Sequence, residues 1–232
     1  MERPPFSYPD QDETPYKQWF AGRFDSVFIA LNPFLRLSGH PPWQTGDWTP
    51  ESAARAAKEQ GPSCGVSWQE IADLCGLPSV RHVNRALRLT GSKQISSEFA
   101  CPEDTEKMLS VCASHSVHPP DEGCSSPLLE LSMGAFARDL GLECLIGAGH
   151  FGVCQSPLHT KDLLNKQQDC DWVELWPEDL SLFCTIYTDY HYYLICQTSK
   201  SLQKARPENY FEGFYAGEET SDFWGVGNLA IF

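Results

Sequence analysis

The periodicity of this chain changes once, near residue 142. Up to Gly141, apolar residues recur at helical spacing between capping signals. Beyond it come short runs of aromatic and β-branched residues bounded by turn residues. Helices followed by strands, rather than alternating with them, specify an α+β architecture. The expectation is a helix-rich N-terminal half packed on a mostly antiparallel sheet formed largely by the C-terminal half. No linker-like stretch separates the halves. The chain therefore reads as one α+β domain over 1–232, with an irregular segment at 1–25, a helical part at 49–141 and a sheet-rich part at 142–232.

The helices have legible ends. Thr49 caps and Pro50 opens a helix that Gly61 closes. Ser67 and Glu70 form a capping box for one that ends at Gly76. Ser79 caps the next, which ends near Gly91. Pro102 starts another, with Thr105, Met108, Leu109 and Cys112 on one stripe. Ser126-Pro127 starts the last long helix, whose buried side carries Leu129, Met133, Phe136 and Leu140 up to Gly141. One or two further turns fit Thr160 to Asn165. Strands are expected at Val27–Leu31, Cys144–Ile146, Trp172–Trp176, Leu182–Tyr187 and Tyr192–Gln197. Tyr210–Tyr215 and Phe223–Phe232 read as edge strands. Residues 1–20, rich in Pro and aromatics, are expected to wrap the surface.

With 232 residues, the chain is long enough to bury a continuous core. No apolar run reaches the length of a membrane span, and MERPPFSYPDQDETP lacks the apolar stretch of a secretory signal. A soluble, cytoplasmic protein with no membrane partner is expected. Ten Cys without any Cys-x-x-Cys, several among apolar neighbours, read as reduced core thiols. Seventeen Lys and Arg against thirty-one Asp and Glu leave a net charge of −14. That balance opposes general attraction to nucleic acid and favours a basic partner.

Four local patterns could carry chemistry. The first is Ser67 to Leu89, two short helices about a Gly-containing turn, like a helix-turn-helix. Arg81, Arg85 and Arg88 lie on one face of its second helix, and Lys93 follows. No acid occurs between Leu74 and Ser97. Cations so placed suit phosphate contacts, but an αα-hairpin whose arginines pair with the protein's own acids is the plainer reading. The second is Gly147-Ala-Gly149-His-Phe-Gly152, a G-x-G-x-x-G with Asp169 and Asp171 some twenty residues on. Pro157 breaks the helix that a dinucleotide site needs there, so a tight glycine turn is preferred and no cofactor is expected. The third is Cys112, His115, His118 and Cys124, zinc-type ligands at a spacing that matches no standard module; no metal is expected. The fourth is an acidic, aromatic C-terminal stretch. Tyr210, Glu212, Phe214, Tyr215, Glu218, Glu219, Asp222 and Trp224 combine aromatic anchors with a charged rim, as interfaces do.

Hydrolase and nucleotide-binding signatures are absent. Cys64 before a helix start and the Asp189/His191 turn are weaker catalytic candidates. The stretches VSWQEIADLCGLPSVRHVNRALRLTG, DYHYYLICQ and NYFEGFYAGEETSDFWG resemble an uncharacterised family of soluble bacterial proteins of the Bacillus type. The resemblance implies no activity and no site residues. The leading expectation is a non-catalytic acidic binding protein, of the immunity or inhibitor type, for a basic protein. The alternatives are a DNA-binding regulator using residues 67–89 and an enzyme with a cleft near Gly147–Gly152.

Overall fold

A computed structural model describes residues 8–9, 13–38, 50–91, 97–149, 154–164 and 172–226. In chain order the elements are α1 (Tyr16–Trp19), β1 (Ser26–Leu31), β2 (Phe34–Arg36), α2 (Pro50–Gln60), β3 (Gly65–Val66), α3 (Trp68–Cys75), α4 (Val80–Arg88) and α5 (Pro102–Ser114). Then follow β4 (Val117–His118), α6 (Pro127–Leu140), β5 (Cys144–Ala148), β6 (Ser156–His159), α7 (Thr160–Leu164), β7 (Glu174–Trp176), β8 (Leu182–Thr185), β9 (Tyr192–Gln197), α8 (Ser199–Lys204) and β10 (Gly213–Tyr215). The architecture is α+β.

The chain divides into two compact units, each assembled from separate stretches. The first comprises 1–32, 123–125 and 129–222; the second comprises 33–122, 126–128 and 223–232.

The first unit is built on a seven-stranded sheet of order β10-β1-β9-β8-β7-β5-β6, antiparallel at every pairing. Only β1 comes from the N-terminal half. It pairs with β9 over six positions, from Ser26↔Gln197 to Leu31↔Tyr192, and both strands are buried throughout. Continuous apolar runs such as SVFIAL and YYLICQ mark strands covered on both faces. On one face Phe28, Ala30, Tyr193 and Ile195 join Met133, Phe136, Ala137 and Leu140 of α6 in a single core. On the other, Phe183 meets Phe20 and Phe24 at ring-centroid distances of 6.3 and 6.4 Å. The N-terminal segment thus enters the core instead of wrapping the surface. Tyr8, Tyr16 and Phe20 are buried, and α1 interrupts what reads in sequence as irregular chain. Its aromatics supply the cover that the second face of the sheet requires.

The second unit holds α2 to α5 and a small sheet of order β3-β2-β4. Ser67 accepts a hydrogen bond from the Glu70 amide, and Gly76 closes α3 in the left-handed conformation, at φ 58°. Both follow from the capping box and its glycine stop. Trp68, Ile71, Cys75, Val83, Leu87, Met108 and Cys112 fill the space among α3, α4 and α5.

Candidate functional site

The C-terminal acidic and aromatic stretch divides on folding. Glu218 and Glu219 are exposed, Glu218 at 81% of its side chain. Glu212, Phe214 and Tyr215 are half-buried around β10. Tyr210 leans on Phe136 and donates to Asp139 at 2.5 Å, so its hydroxyl is engaged within the first unit. Two of the expected rim residues are not on the surface. Trp224 is buried in the second unit, 6.2 Å from the Trp68 ring, and its carbonyl accepts from Asn84 at 2.7 Å. Asp222 is 1% exposed.

Asp222 instead anchors a buried cluster of tyrosines. Tyr8 donates to its Oδ1 at 2.6 Å, Tyr16 donates to the same oxygen, and Tyr190 donates to Oδ2 at 3.0 Å. The Tyr16 hydroxyl also lies 2.8 Å from that of Tyr8 and 3.0 Å from that of Tyr192. The rings stack around these bonds, Tyr8 against Tyr187 and Tyr190 at 5.0 and 5.8 Å. Burial, reinforced by the neighbouring phenols and carboxyl, pushes the phenols of Tyr8 and Tyr16 well above the ordinary tyrosine range. They therefore stay protonated and act as donors. A buried carboxyl is tolerable only with such partners. The cluster spends its polar groups on one another and ties the N-terminal segment to residues more than two hundred positions away. It is a clamp, and it was missed from sequence because only the tyrosine density of DYHYY hinted at it.

The arginine face of α4 is largely consumed. Arg88 is 3% exposed, and Arg85 is paired with Asp104 of α5 at 2.5 Å. Arg81 is half-buried. Lys93 lies outside the described residues. The charges of Arg85 and Arg88 are thus turned inward, as an αα-hairpin requires.

The described start of the glycine motif, Gly147 and Ala148, lies on β5. β5 pairs antiparallel with β6, Gly147 opposite Ser156 and Ile146 opposite Pro157. A strand-to-helix turn for pyrophosphate needs a helix where β6 runs. Residues 150–153, 169 and 171 lie outside the described residues. Gly147 is required for packing, since a Cβ there would stand 2.5 Å from the Leu158 side chain.

The zinc-type candidates do not converge. Cys112 is buried among the helices of the second unit, where desolvation, with Cys75 close by, pushes its thiol up to about 12. His115 is exposed at the end of α5, beside the Val111 carbonyl, and His118 is buried on β4. Cys124 is exposed in the first unit. Among the described residues no group of three or more His, Cys, Asp or Glu is placed to hold a metal ion. Cys64 is packed with Leu35, Ala57 and Leu128 rather than presented at a helix start. His191 is buried and Asp189 half-buried in the turn from β8 to β9. No disulfide joins the cysteines of the described residues.

These features define an α+β protein with a buried polar cluster, Asp222 and its tyrosines, that acts as a structural clamp. The chain matches a family described as "Protein of unknown function (DUF2711)" over residues 12–226, and it belongs to that family. No curated protein and no solved structure matches it. No helix among the described residues is long and apolar enough to cross a membrane.

Proposed function

We propose that this chain is a non-catalytic acidic binding protein, of the immunity or inhibitor type, that takes a basic protein partner in a bacterial cytoplasm. One observation carries this reading. The net charge is −14, while Lys17, Arg36, Arg85, Arg138 and Arg206 each pair with a carboxylate of their own unit. These five cations are neutralised locally, and the surplus of acids dominates the field that an approaching molecule meets. Such a field raises the encounter rate with a basic protein and repels nucleic acid. Of the expected interface, Glu218 and Glu219 stay exposed beside the half-buried Phe214 and Tyr215, Glu218 with one oxygen on Lys17. The inward turn of Arg85 and Arg88 takes support away from the DNA-reading alternative, and the antiparallel β5–β6 pairing takes it from a dinucleotide reading of the glycine motif.

The test is capture from a nuclease-treated bacterial lysate, at low and moderate salt, with the unaltered chain and with Glu218→Lys/Glu219→Lys. One basic protein should be retained at low salt, released by screening, and lost with the charge-reversed variant. Capture that ignores both salt and the charge reversal would sink the proposal.

A further inference from the structure

The two edges of the seven-stranded sheet, β6 and β10, are finished differently. β6 pairs with β5 from Cys144↔His159 to Gly147↔Ser156, and the Thr160 amide donates to the Glu143 carbonyl in the same register. In an antiparallel pair, residues bonded to the neighbouring strand alternate with residues whose amide and carbonyl point away from it. Ser156, Leu158 and Thr160 therefore face β5, while Pro157 and His159 face outwards. A proline there has no N–H to offer, which closes that edge to further pairing. On β10 the alternation runs from the Leu31 amide on the Glu212 carbonyl to the Ala216 amide on the Val27 carbonyl, with Ile29 opposite Phe214 between them. Residues 212, 214 and 216 thus face β1. Gly213 and Tyr215 face outwards, and neither a proline, a lysine nor a bulge protects them.

This outer edge offers main chain. Gly213 is exposed, and the exposed surface of a glycine is backbone. Among the described residues nothing bonds the outward amide or carbonyl of Gly213 or Tyr215. The next outward positions are closed, since the Phe211 amide donates to the Pro207 carbonyl and the Gly217 amide to Thr220 Oγ1. The opening is therefore Gly213 and Tyr215 alone, each with one N–H and one carbonyl. It matches a short extended segment paired as one more strand, the mode by which sheet edges take peptides. The surrounding charge selects the sign of that segment. From Pro207 to Ser221 the sequence holds Glu208, Glu212, Glu218 and Glu219 and no Lys or Arg. Arg206 and Lys17 offset Glu208 and Glu218, and the remainder is acidic. A second copy of β10 brings the same acids against themselves, which disfavours self-pairing. The two faces of the sheet select side chains. A residue added opposite Gly213 lies on the face of Phe28 and Tyr215, whose rings meet edge to face at 5.2 Å. A residue added opposite Phe214 lies on the other face, diagonal to Glu212.

We propose that β10 is the docking edge for the basic partner, which adds an extended basic segment antiparallel to it. Backbone bonds to Gly213 and Tyr215 hold the segment. Its β-branched or aromatic side chains lie on the face of Phe28 and Tyr215, and its cations lie on the face of Glu212. The inference rests on the basic-partner reading and adds to it the way the partner is held.

The test uses the full chain, amide hydrogen exchange and calorimetry. The probe is a blocked peptide that alternates lysine with valine or tyrosine, in the order Lys-Val-Lys-Tyr-Lys-Val-Lys. Without peptide, the Gly213 and Tyr215 amides should exchange fast and the Phe214 amide slowly; with it, all three should be slow. N-methylation at the valines and tyrosine removes the N–H groups that face β10, and should weaken binding by about tenfold or more. N-methylation at the lysines alters only amides that point away, and should leave affinity unchanged. Glutamate in place of lysine should abolish binding. Tyr215→Pro removes an outward N–H that the sheet does not use, and should weaken the peptide as the first methylation does, whereas Tyr215→Phe should not. If Tyr215→Pro lowers the melting point without peptide, the two methylated peptides decide alone. Equal binding by those two, or no binding by the parent peptide, overturns the proposal. Protection of Gly213 and Tyr215 that rises with chain concentration and needs no peptide would seat a second copy on the edge, and overturns it too. Lysate capture that is lost with Glu218→Lys/Glu219→Lys but kept with Tyr215→Pro would leave the basic-partner reading standing and remove strand addition.

Discussion

Asp222 shows how far one residue's role depends on contacts that local sequence does not carry. Its neighbours Phe223 and Trp224 and the nearby Glu218 and Glu219 make it look like the rim of an interface. Its burial is decided by Tyr8 and Tyr16, more than two hundred positions away. Replacing it by Ala removes the acceptor of three buried phenols, and unmet buried donors cost about 1–3 kcal/mol each. Asp222→Ala should therefore lose about 3 kcal/mol or more in denaturant unfolding, whereas Glu218→Ala should be close to neutral. The phenols of Tyr8 and Tyr16 add a pH dependence of known sign. Their folded pKa values are raised, so their contribution is fully present below about pH 10, where unfolded tyrosine is still protonated. Above that pH the unfolded chain releases protons that the folded chain keeps, and stability falls. The urea midpoint should drop between about pH 9 and 11, and the Tyr8→Phe/Tyr16→Phe variant should flatten that slope. An unchanged slope would show that these phenols are exposed to water.

At the level of elements, what local chemistry specifies was legible and what long-range pairing specifies was not. α2, α3 and α6 begin and end within a residue or two of their Pro, Ser and Gly signals, and α5 begins at its Pro. β9 begins and ends as its apolar run dictates, and β1 starts within one residue. α3 and α4 separate two kinds of cap. Ser67 bonds the Glu70 amide, while Ser79 makes no capping bond and instead lies 3.2 Å from His82 Nδ1. Ser67→Ala should therefore cost about 1 kcal/mol and Ser79→Ala clearly less, measured by the same unfolding assay. Equal losses would show that the sequence pattern, rather than the bond, sets the value. The two-residue strands β3 and β4 carry no pattern of their own, because so short a strand exists only through its partner β2. β10 is similar. It lies against β1 through Gly213, where a Cβ would stand 1.9 Å from the Ile29 carbonyl oxygen. Gly213 falls within the expected edge strand, but this backbone approach becomes visible only once β1 is in place. The outward turn of Gly213 and Tyr215 was illegible for the same reason, since it is set by the register with β1.

At the scale of the whole molecule, the surplus of acids has a thermodynamic consequence independent of any partner. Like charges on a folded chain repel, and that repulsion is relieved on expansion. The ion pairs of Lys17, Arg36, Arg85, Arg138 and Arg206 act in the opposite sense. Four have both side chains more than a third exposed, and exposed pairs contribute about 0–1 kcal/mol each, screened by salt. Raising the salt from low to physiological levels therefore weakens a net repulsion of −14 charges and a few small attractions together. The repulsion should win, because it sums over every surplus acid while each pair acts alone. The melting temperature should rise by a few degrees, the shift that about 1 kcal/mol produces in a chain of this size. A fall on adding salt would mean that paired cations, not surplus acids, govern the surface field. The attraction to a basic partner would then lose its physical basis, even before any lysate is tested.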